Sequence, residues 1–132
     1  MDMNTAYAFG KTVAAPFAAT EKKVREELQK EGFGVLSEID IAAKFKEKLG
    51  KEFRKYVILG ACNQGLAWEA FGKEMNIGTL LPCNVVVYEA DGGETAVMFM
   101  DPVAALSLIG NPEVASLAGM VKEKLERVLA LV

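Results

Sequence analysis

The sequence predicts a single α+β domain, in which helices back a mostly antiparallel sheet to form two layers. Three observations lead to this fold class. The chain has 132 residues, 52% of them hydrophobic and 25% charged, which suits one globular domain with its own core. Its patterns follow the order strand, helix, strand, short helix, strand, helix, hairpin, helix. The tripeptide Asp-Gly-Gly at residues 91–93 is a strong hairpin signal between the two strands that flank it.

The first predicted elements are a strand and an amphipathic helix. The stretch TAYAFGKTVA, residues 5–14, is rich in strand-forming residues. Pro16 suits the first turn of a helix, and Val24 and Leu28 share the apolar face of that helix. Gly32 is placed to end the helix in the left-handed conformation that glycine adopts without strain.

A second strand and a short helix follow. In the stretch FGVLSEIDI the apolar Phe33, Val35 and Ile39 have the same parity, so we expect them on one face of the strand. Asp40 is a good N-cap for a short helix that Gly50 would end. Glu38 and Asp40 would share the opposite face, where they could act as a pair, although a solvated face and a helix cap are the simpler explanation.

The remaining elements are a strand, a helix, a hairpin and a long helix. The strand FRKYVILGAC, residues 53–62, is fully apolar in its second half, so we expect its end to be covered on both faces. Asn63 is a good N-cap for the helix that follows. In the first hairpin strand, GTLLPCNVVVYEA, Pro82 predicts an edge position, a bulge or a late start of the ladder. Asn111 and Pro112 mark the start of the last helix.

The composition excludes several classes of function. The chain has no histidine, so it has no Ser-His-Asp triad, no Cys-His pair and no imidazole ligand for a metal. Neither nucleotide-binding glycine fingerprint occurs, and a net charge of −3 without a basic stripe argues against nucleic acid as a partner. We expect no membrane association, since no spanning segment or secretory signal is visible, and the cytoplasm is the expected location.

The strongest candidates for reactive or ligand-binding residues are two Cys-Asn pairs, at residues 62–63 and 83–84. Cys62 lies between an apolar strand and a helix N-terminus, whose dipole and free N–H groups favour a reactive thiolate. Burial in apolar surroundings would act in the opposite direction, and a free cysteine is also a common core residue. Cys83 would face Cys62 if their strands are neighbours, which would permit a redox pair, a persulfide carrier or a two-thiolate metal site. Two cysteines alone make a poor zinc site, so we predict no metal.

The asparagines of the two pairs are candidates for ligand binding. Asn63 and Asn84 can both donate and accept hydrogen bonds, as a pocket for a small polar group requires. A structural explanation is also available, in which Asn63 caps a helix, Asn84 satisfies the backbone around Pro82, and Cys83 packs in the core.

Three segments give the chain a family likeness: GFGVLSEIDI, YVILGACNQGLA and IGTLLPCNVVVYE, in this order and spacing. Together they resemble the DUF302 family, and the paired GACN and LLPCN segments are the specific part of the likeness. The resemblance implies a TBP-like α+β fold, a small cytoplasmic homodimer, and links of some members to sulfur or redox metabolism. It also implies a site at the motif positions Cys62, Asn63, Pro82, Cys83 and Asn84. Gln64 departs from the family pattern, which favours proline at that position.

The sequence thus leads to two functional hypotheses. In the first, the protein is a homodimeric domain that binds a small molecule at a site around Asn63, Pro82 and Asn84. In the second, it is a thiol-dependent redox or sulfur-transfer protein that uses Cys62 with Cys83 as its partner. The sequence names neither a cofactor nor a reaction, and it leaves open whether the protein is an enzyme.

Overall fold

A computed structural model describes residues 3–132 and confirms the predicted α+β fold. The sheet has five strands in the order β1-β5-β4-β3-β2, and all its neighbouring strands are antiparallel. The strands are β1 (Ala8–Val13), β2 (Phe33–Asp40), β3 (Tyr56–Asn63), β4 (Cys83–Glu89) and β5 (Thr95–Met100). The α-helices are α1 (Phe17–Lys30), α2 (Ile41–Leu49), α3 (Gln64–Lys73), α4 (Pro102–Leu106) and α5 (Pro112–Leu131), and short 3₁₀ segments cover Met75–Leu80, Asp91–Gly93 and Ser107–Ile109.

The main core lies between one face of the sheet and the helices α1 and α5. Phe99 of β5 is fully buried there and stacks on Phe9 of β1, with ring centroids 5.5 Å apart. The other fully buried members come from both layers: Val24, Leu28, Leu59, Val85, Val87, Val97, Leu125 and Val128. This arrangement explains the apolar stripes of α1 and α5, which both pack on the same side of the sheet. We call this side the core face.

A second apolar cluster extends the core beyond the end of β3. It joins α3, the 3₁₀ segment Met75–Leu80, α4 and the first half of α5 through Ala70, Ile77, Leu106, Val114, Leu117 and Ala118. The sheet therefore ends against a helical unit at the point where the Cys-Asn pairs lie.

Most of the predicted element boundaries are confirmed by capping contacts. Asp40 accepts a hydrogen bond from the Ala43 N–H, Asn63 accepts one from Leu66, and Asn111 accepts one from Glu113. Gly32 and Gly50 both have the left-handed backbone conformation, with φ values of 84° and 64°. The helix α4 was not predicted, although Asp101 and Pro102 begin it in the same way as Asn111 and Pro112 begin α5.

The prediction that Phe33, Val35 and Ile39 share one face is wrong. Val35 pairs with Ala61 and Ser37 pairs with Gly60, so Leu36 is an extra residue in a β-bulge. The bulge reverses the alternation, and Ile39 lies opposite Ile58 on the other face of the sheet from Phe33.

The structure also decides the role of Pro82. The ladder of β4 starts late, at Cys83, directly after a cis Leu81–Pro82 peptide bond. The alternative of an edge strand is wrong, because β4 lies between β3 and β5.

Near the end of β3 both faces are covered, as expected, because Ala61 is buried on one face and Gly60 on the other. This cover does not extend along the whole strand. Val57, Leu59 and Ala61 are buried on the core face, whereas Ile58 on the opposite face is only half-buried. We call this second side of the sheet the open face. The helices α1 and α5 pack on the core side. Phe45 of α2 contacts the Phe53 ring, which in turn contacts Tyr56 at one end of the open face. Across the described chain, no helix combines the length and apolarity needed to cross a bilayer.

Candidate functional site

The two cysteines lie on neighbouring strands but are not opposite each other in the register. Cys83 is opposite Ala61 on the core face, and Cys62 is opposite Gly34 in the register of β2 and β3. Adjacent residues of a strand point to opposite faces, so the side chains of Ala61 and Cys62 leave β3 in different directions. Both thiols are free. The predicted neighbourhood of the strands is found, and the register does not pair the two cysteines directly.

Both cysteines nevertheless border one small cavity, at the end of the sheet where β3 runs into α3. Its volume is about 40 Å³, and Asn63 contributes to the wall. The rest of the wall is apolar and includes Phe33, Leu66, Ile77, Leu81, Leu106, Val114, Leu117 and Val121. A space of this size holds a water molecule or two and is far below the range of about 300 to 1,000 Å³ that is usual for ligand sites.

The environment of the thiols opposes ionisation. Burial raises the pKa of Cys62 above its ordinary value. Burial also raises the pKa of Cys83 to about 11, and the nearby Cys62 adds to this effect. Desolvation therefore outweighs the favourable position of Cys62 next to the N-terminus of α3. Neither sulfur lies in the electropositive, accessible setting that marks reactive cysteines.

These pKa shifts predict slow alkylation. A thiol with a pKa of about 11 is ionised in about one molecule per thousand at pH 8. We expect iodoacetamide to leave Cys83 unmodified in the native protein and to modify Cys62 slowly, with a rate that rises into the alkaline range. In urea both should react as ordinary thiols, with a pKa of about 8.5. Rapid native modification of either thiol below pH 7, measured by mass spectrometry, would instead support thiolate chemistry.

Asn63 has a structural role. Its Oδ1 accepts a hydrogen bond of 3.2 Å from the Leu66 N–H, and its Nδ2 donates one of 3.4 Å to the Glu31 carbonyl oxygen. The side chain thus caps α3 and ties the start of α3 to the end of α1. Both polar atoms already have protein partners, which limits what Asn63 can offer to a ligand.

Pro82 and Asn84 do not border the cavity that the cysteines share. Pro82 packs against Gly60, where an added Cβ would lie 2.8 Å from the Pro82 Cγ. Asn84 is opposite Gly60 in β3, so its side chain belongs to the open face, where it is exposed. The five motif residues are therefore divided between a buried apolar cavity and the opposite side of the sheet.

Asn84 lines a larger groove on the open face. This groove has a volume of about 360 Å³, and none of its lining residues carries a charge. Its walls are formed by Met3, Thr5, Tyr7, Ala8, Tyr56, Val86, Tyr88, Met98, Phe99 and Met100. The groove is therefore large enough for a small organic molecule, and it combines aromatic rings, thioethers, one amide and three phenol groups.

The three tyrosines give the groove its chemical character. Tyr56 and Tyr88 are directly opposite each other on β3 and β4, and their rings stack with centroids 5.1 Å apart and planes 6° apart. Tyr7 lies close enough to influence Tyr56, whose pKa is raised by burial and further by Tyr88 and Tyr7. The raised pKa keeps the Tyr56 phenol protonated at neutral pH, and the hydroxyl groups of the tyrosines can donate hydrogen bonds.

The sequence did not predict this groove. Tyr7, Tyr56 and Tyr88 are far apart in the chain, and only the register of the sheet brings them together. Tyr56 begins β3, Tyr88 is the penultimate residue of β4, and Tyr7 directly precedes β1.

The carboxylates of Glu38 and Asp40 do not form a paired site. Glu38 pairs with Arg25 at 3.0 Å and Asp40 caps α2, so the two carboxylates have separate structural partners. Among residues 3–132, no group of three or more Cys, Asp or Glu side chains is placed to hold a metal ion.

A larger surface depression, of about 720 Å³ beside the start of α1, contains both signs of charge. There Arg54 donates to the Glu89 carbonyl oxygen, and the Lys55 N–H donates to the Glu89 carboxylate. Because these groups form hydrogen bonds with each other, the open-face groove remains the best candidate site.

Comparison with known proteins agrees with the fold. The model of the family DUF302, described as a domain of unknown function, matches residues 9–132. The crystal structure of an uncharacterised conserved DUF302 protein from Bacillus stearothermophilus is similar to this chain, with a TM-score of 0.88 and 28% sequence identity. The similarity covers 96% of this chain and 98% of the other. No curated protein matches.

Proposed function

The chain belongs to the DUF302 family, and from this premise we propose that it is a cytoplasmic, homodimeric domain that binds a small uncharged molecule in the open-face groove. The observation that carries the proposal is the groove itself, with its volume of about 360 Å³ and its uncharged lining. An apolar wall with a few hydrogen-bonding groups is the usual composition of a small-molecule site. Asn84 is the one motif residue that lines the groove.

The chemistry of the lining favours a flat, partly aromatic ligand. The stacked rings of Tyr56 and Tyr88 offer an aromatic surface, and methionine thioethers adapt to the shape of a bound ring. Asn84 and the phenol hydroxyls can fix the orientation of one or two polar atoms. A charged ligand would lose its hydration without gaining a counter-ion in the groove, which makes it a poor occupant.

We propose binding rather than catalysis at this groove. General acid–base catalysis works best when the pKa of the group lies near the working pH. The only titratable side chains in the lining are the tyrosines, and the pKa of Tyr56 is raised further from neutrality.

The alternative proposal, redox or sulfur transfer by Cys62 with Cys83 as its partner, has less support. Burial raises the pKa of both thiols, and the register does not set one sulfur opposite the other. The alkylation experiment described above tests this alternative independently of the groove.

A titration with Nile red, a neutral aromatic dye, tests the ligand site. We expect the dye to bind the wild-type protein and Tyr88→Ala to raise its Kd about five- to thirtyfold, because the stacked ring contributes about 1 to 2 kcal/mol of contact. Tyr88→Phe keeps the ring and should retain most of the affinity. Leu108→Ala is the matched control, since Leu108 is 80% exposed and lies outside the groove.

Two results would count against the groove as the binding site. One is an unchanged dye affinity in Tyr88→Ala, and the other is an equal loss of affinity in Leu108→Ala. Native mass spectrometry of protein purified from cells would add a second readout, through the mass of any retained small molecule.

A further inference from the structure

The open face of the sheet carries no charged side chain on any of its five strands. The register assigns to it Ala8, Gly10, Thr12, Gly34, Ser37, Ile39, Tyr56, Ile58, Gly60, Cys62, Asn84, Val86, Tyr88, Ala96, Met98 and Met100. The register assigns every charged residue of the strands to the core face: Lys11, Glu38, Asp40 and Glu89. A solvated antiparallel sheet shows the reverse, with polar side chains on its outer face.

The helix α2 continues this apolar surface at one end of the sheet. Its apolar residues Ile41, Phe45 and Leu49 recur every four positions, yet no residue of α2 is buried. The Phe45 ring contacts Phe53, which contacts Tyr56 at the edge of the groove. An amphipathic helix gains stability from packing of its apolar stripe, and here that packing leaves Phe45 and Leu49 exposed.

The size of this surface fits a stable protein contact. Five strands spaced about 4.8 Å apart and six to eight residues long span a face of about 24 by 20 Å, or about 500 Å². The exposed stripe of α2 adds about 130 Å², for a nine-residue helix about 13 Å long and 10 Å wide. Two such faces bury about 1,250 Å² together, within the range of about 1,200 to 2,000 Å² for specific interfaces.

The charge pattern favours a second copy of the chain as the partner. In a twofold-symmetric dimer each side chain near the axis meets its own copy, so a charged face would repel itself. An uncharged face avoids this repulsion, although each copy has a net charge of −3 carried elsewhere on its surface. The second half of β3 is apolar, as is typical of a strand that is covered on both faces. A second copy would supply the cover that Ile58 lacks on the open face.

We infer that a second copy packs its open face on this one, sheet against sheet, and that the two facing grooves close into one shared ligand cavity. The inference rests on the proposed homodimeric binding function and adds the surface that forms the dimer. Sheets that pack face to face are about 10 Å apart, which keeps the grooves within reach of one bound molecule.

Mass measurement of surface variants tests the interface. Sedimentation velocity at about 100 μM should give the dimer mass for the wild type and the monomer mass for Val86→Glu, because the symmetric contact buries two unpaired carboxylates. Ile39→Glu changes the same face outside the groove lining and should also give monomers. Leu108→Glu places the same charge on an exposed apolar residue elsewhere and should remain dimeric. Far-UV circular dichroism checks that each variant is folded.

The outcomes separate this inference from the proposed function. A folded Val86→Glu and a folded Ile39→Glu that both remain dimeric would overturn the open-face interface and leave homodimerisation intact. A monomeric wild type would overturn homodimerisation and the interface together. Nile red affinity adds a further distinction: Ile39→Glu should bind the dye at least about fivefold more weakly than wild type if the partner closes the cavity. Unchanged affinity in a monomeric Ile39→Glu would contradict the shared cavity while supporting the groove.

Discussion

Gly10→Ala is expected to lower the free energy of unfolding by about 3 kcal/mol or more, a large effect for the addition of one methyl group. A Cβ at this position would overlap the Val97 carbonyl oxygen and lie 2.8 Å from the Met98 Cα. Both are backbone atoms of β5, so no side-chain rotation can relieve the overlap. The strand β1 would have to move away from β5, which breaks the ladder between them.

The same substitution at Gly119 provides the matched control. Gly119 lies in α5, and an added Cβ would meet no atom within 4 Å. Alanine stabilises a helix interior by about 1 kcal/mol relative to glycine, so Gly119→Ala should raise the midpoint of urea unfolding. Opposite shifts of the two midpoints would confirm the close approach of β1 and β5. A shift in the same direction for both variants would contradict it.

Gly10→Ala also has a functional consequence. Ala8 of β1 and Tyr7 just before it line the open-face groove. Detachment of β1 removes one wall of the groove, so the variant should bind Nile red more weakly even where it remains folded. Gly119→Ala is remote from the groove and should retain the wild-type affinity.

Much of the fold could be predicted because its signals are local. Side-chain caps mark the starts of α2, α3 and α5, and the Asp-Gly-Gly turn joins β4 to β5 as expected. The bulge at Leu36 could not be predicted, because it is defined by the partner strand: only the pairing with β3 shows two residues facing one. This single residue decides that Ile39 belongs to the open face.

The candidate site was harder to predict for the same reason. Asn63 and Asn84 have the same preceding residue, but Asn63 ends β3 and begins a helix, whereas Asn84 lies inside β4. Alternation along β4 directs Asn84 to the open face and Cys83 to the core face. The tyrosines of the groove come from separate parts of the chain, and no spacing in the sequence connects them.

The assignment of the two faces predicts opposite results for neighbouring residues of β4. Val87→Lys should abolish folding. Val87 is fully buried and lies between Val57 of β3 and Val97 of β5 on the core face. An ammonium group there has no counter-ion, and its burial costs several kcal/mol. This cost is a large share of the free energy of unfolding of a domain, which is about 5 to 15 kcal/mol. Far-UV circular dichroism should show the loss of native structure.

Val86→Lys should keep the fold. Val86 lies between Ile58 and Met98 on the open face, where it is half-buried. Lysine can extend its aliphatic chain over these residues and keep its ammonium group in water, so the cost should be about 1 kcal/mol in the isolated monomer. Equal loss of structure in both variants would contradict the open face.

Protein concentration distinguishes an open face from one that a second copy covers. If the dimer forms through this face, the wild type should gain stability with concentration, because only the folded chain associates. A hundredfold increase in protein concentration should therefore raise the midpoint of its thermal unfolding. Val86→Lys introduces two like charges into the symmetric contact, so its midpoint should stay constant over the same range. A wild-type midpoint that is independent of concentration would mean that the open face remains in water, and that its apolar residues serve the ligand alone.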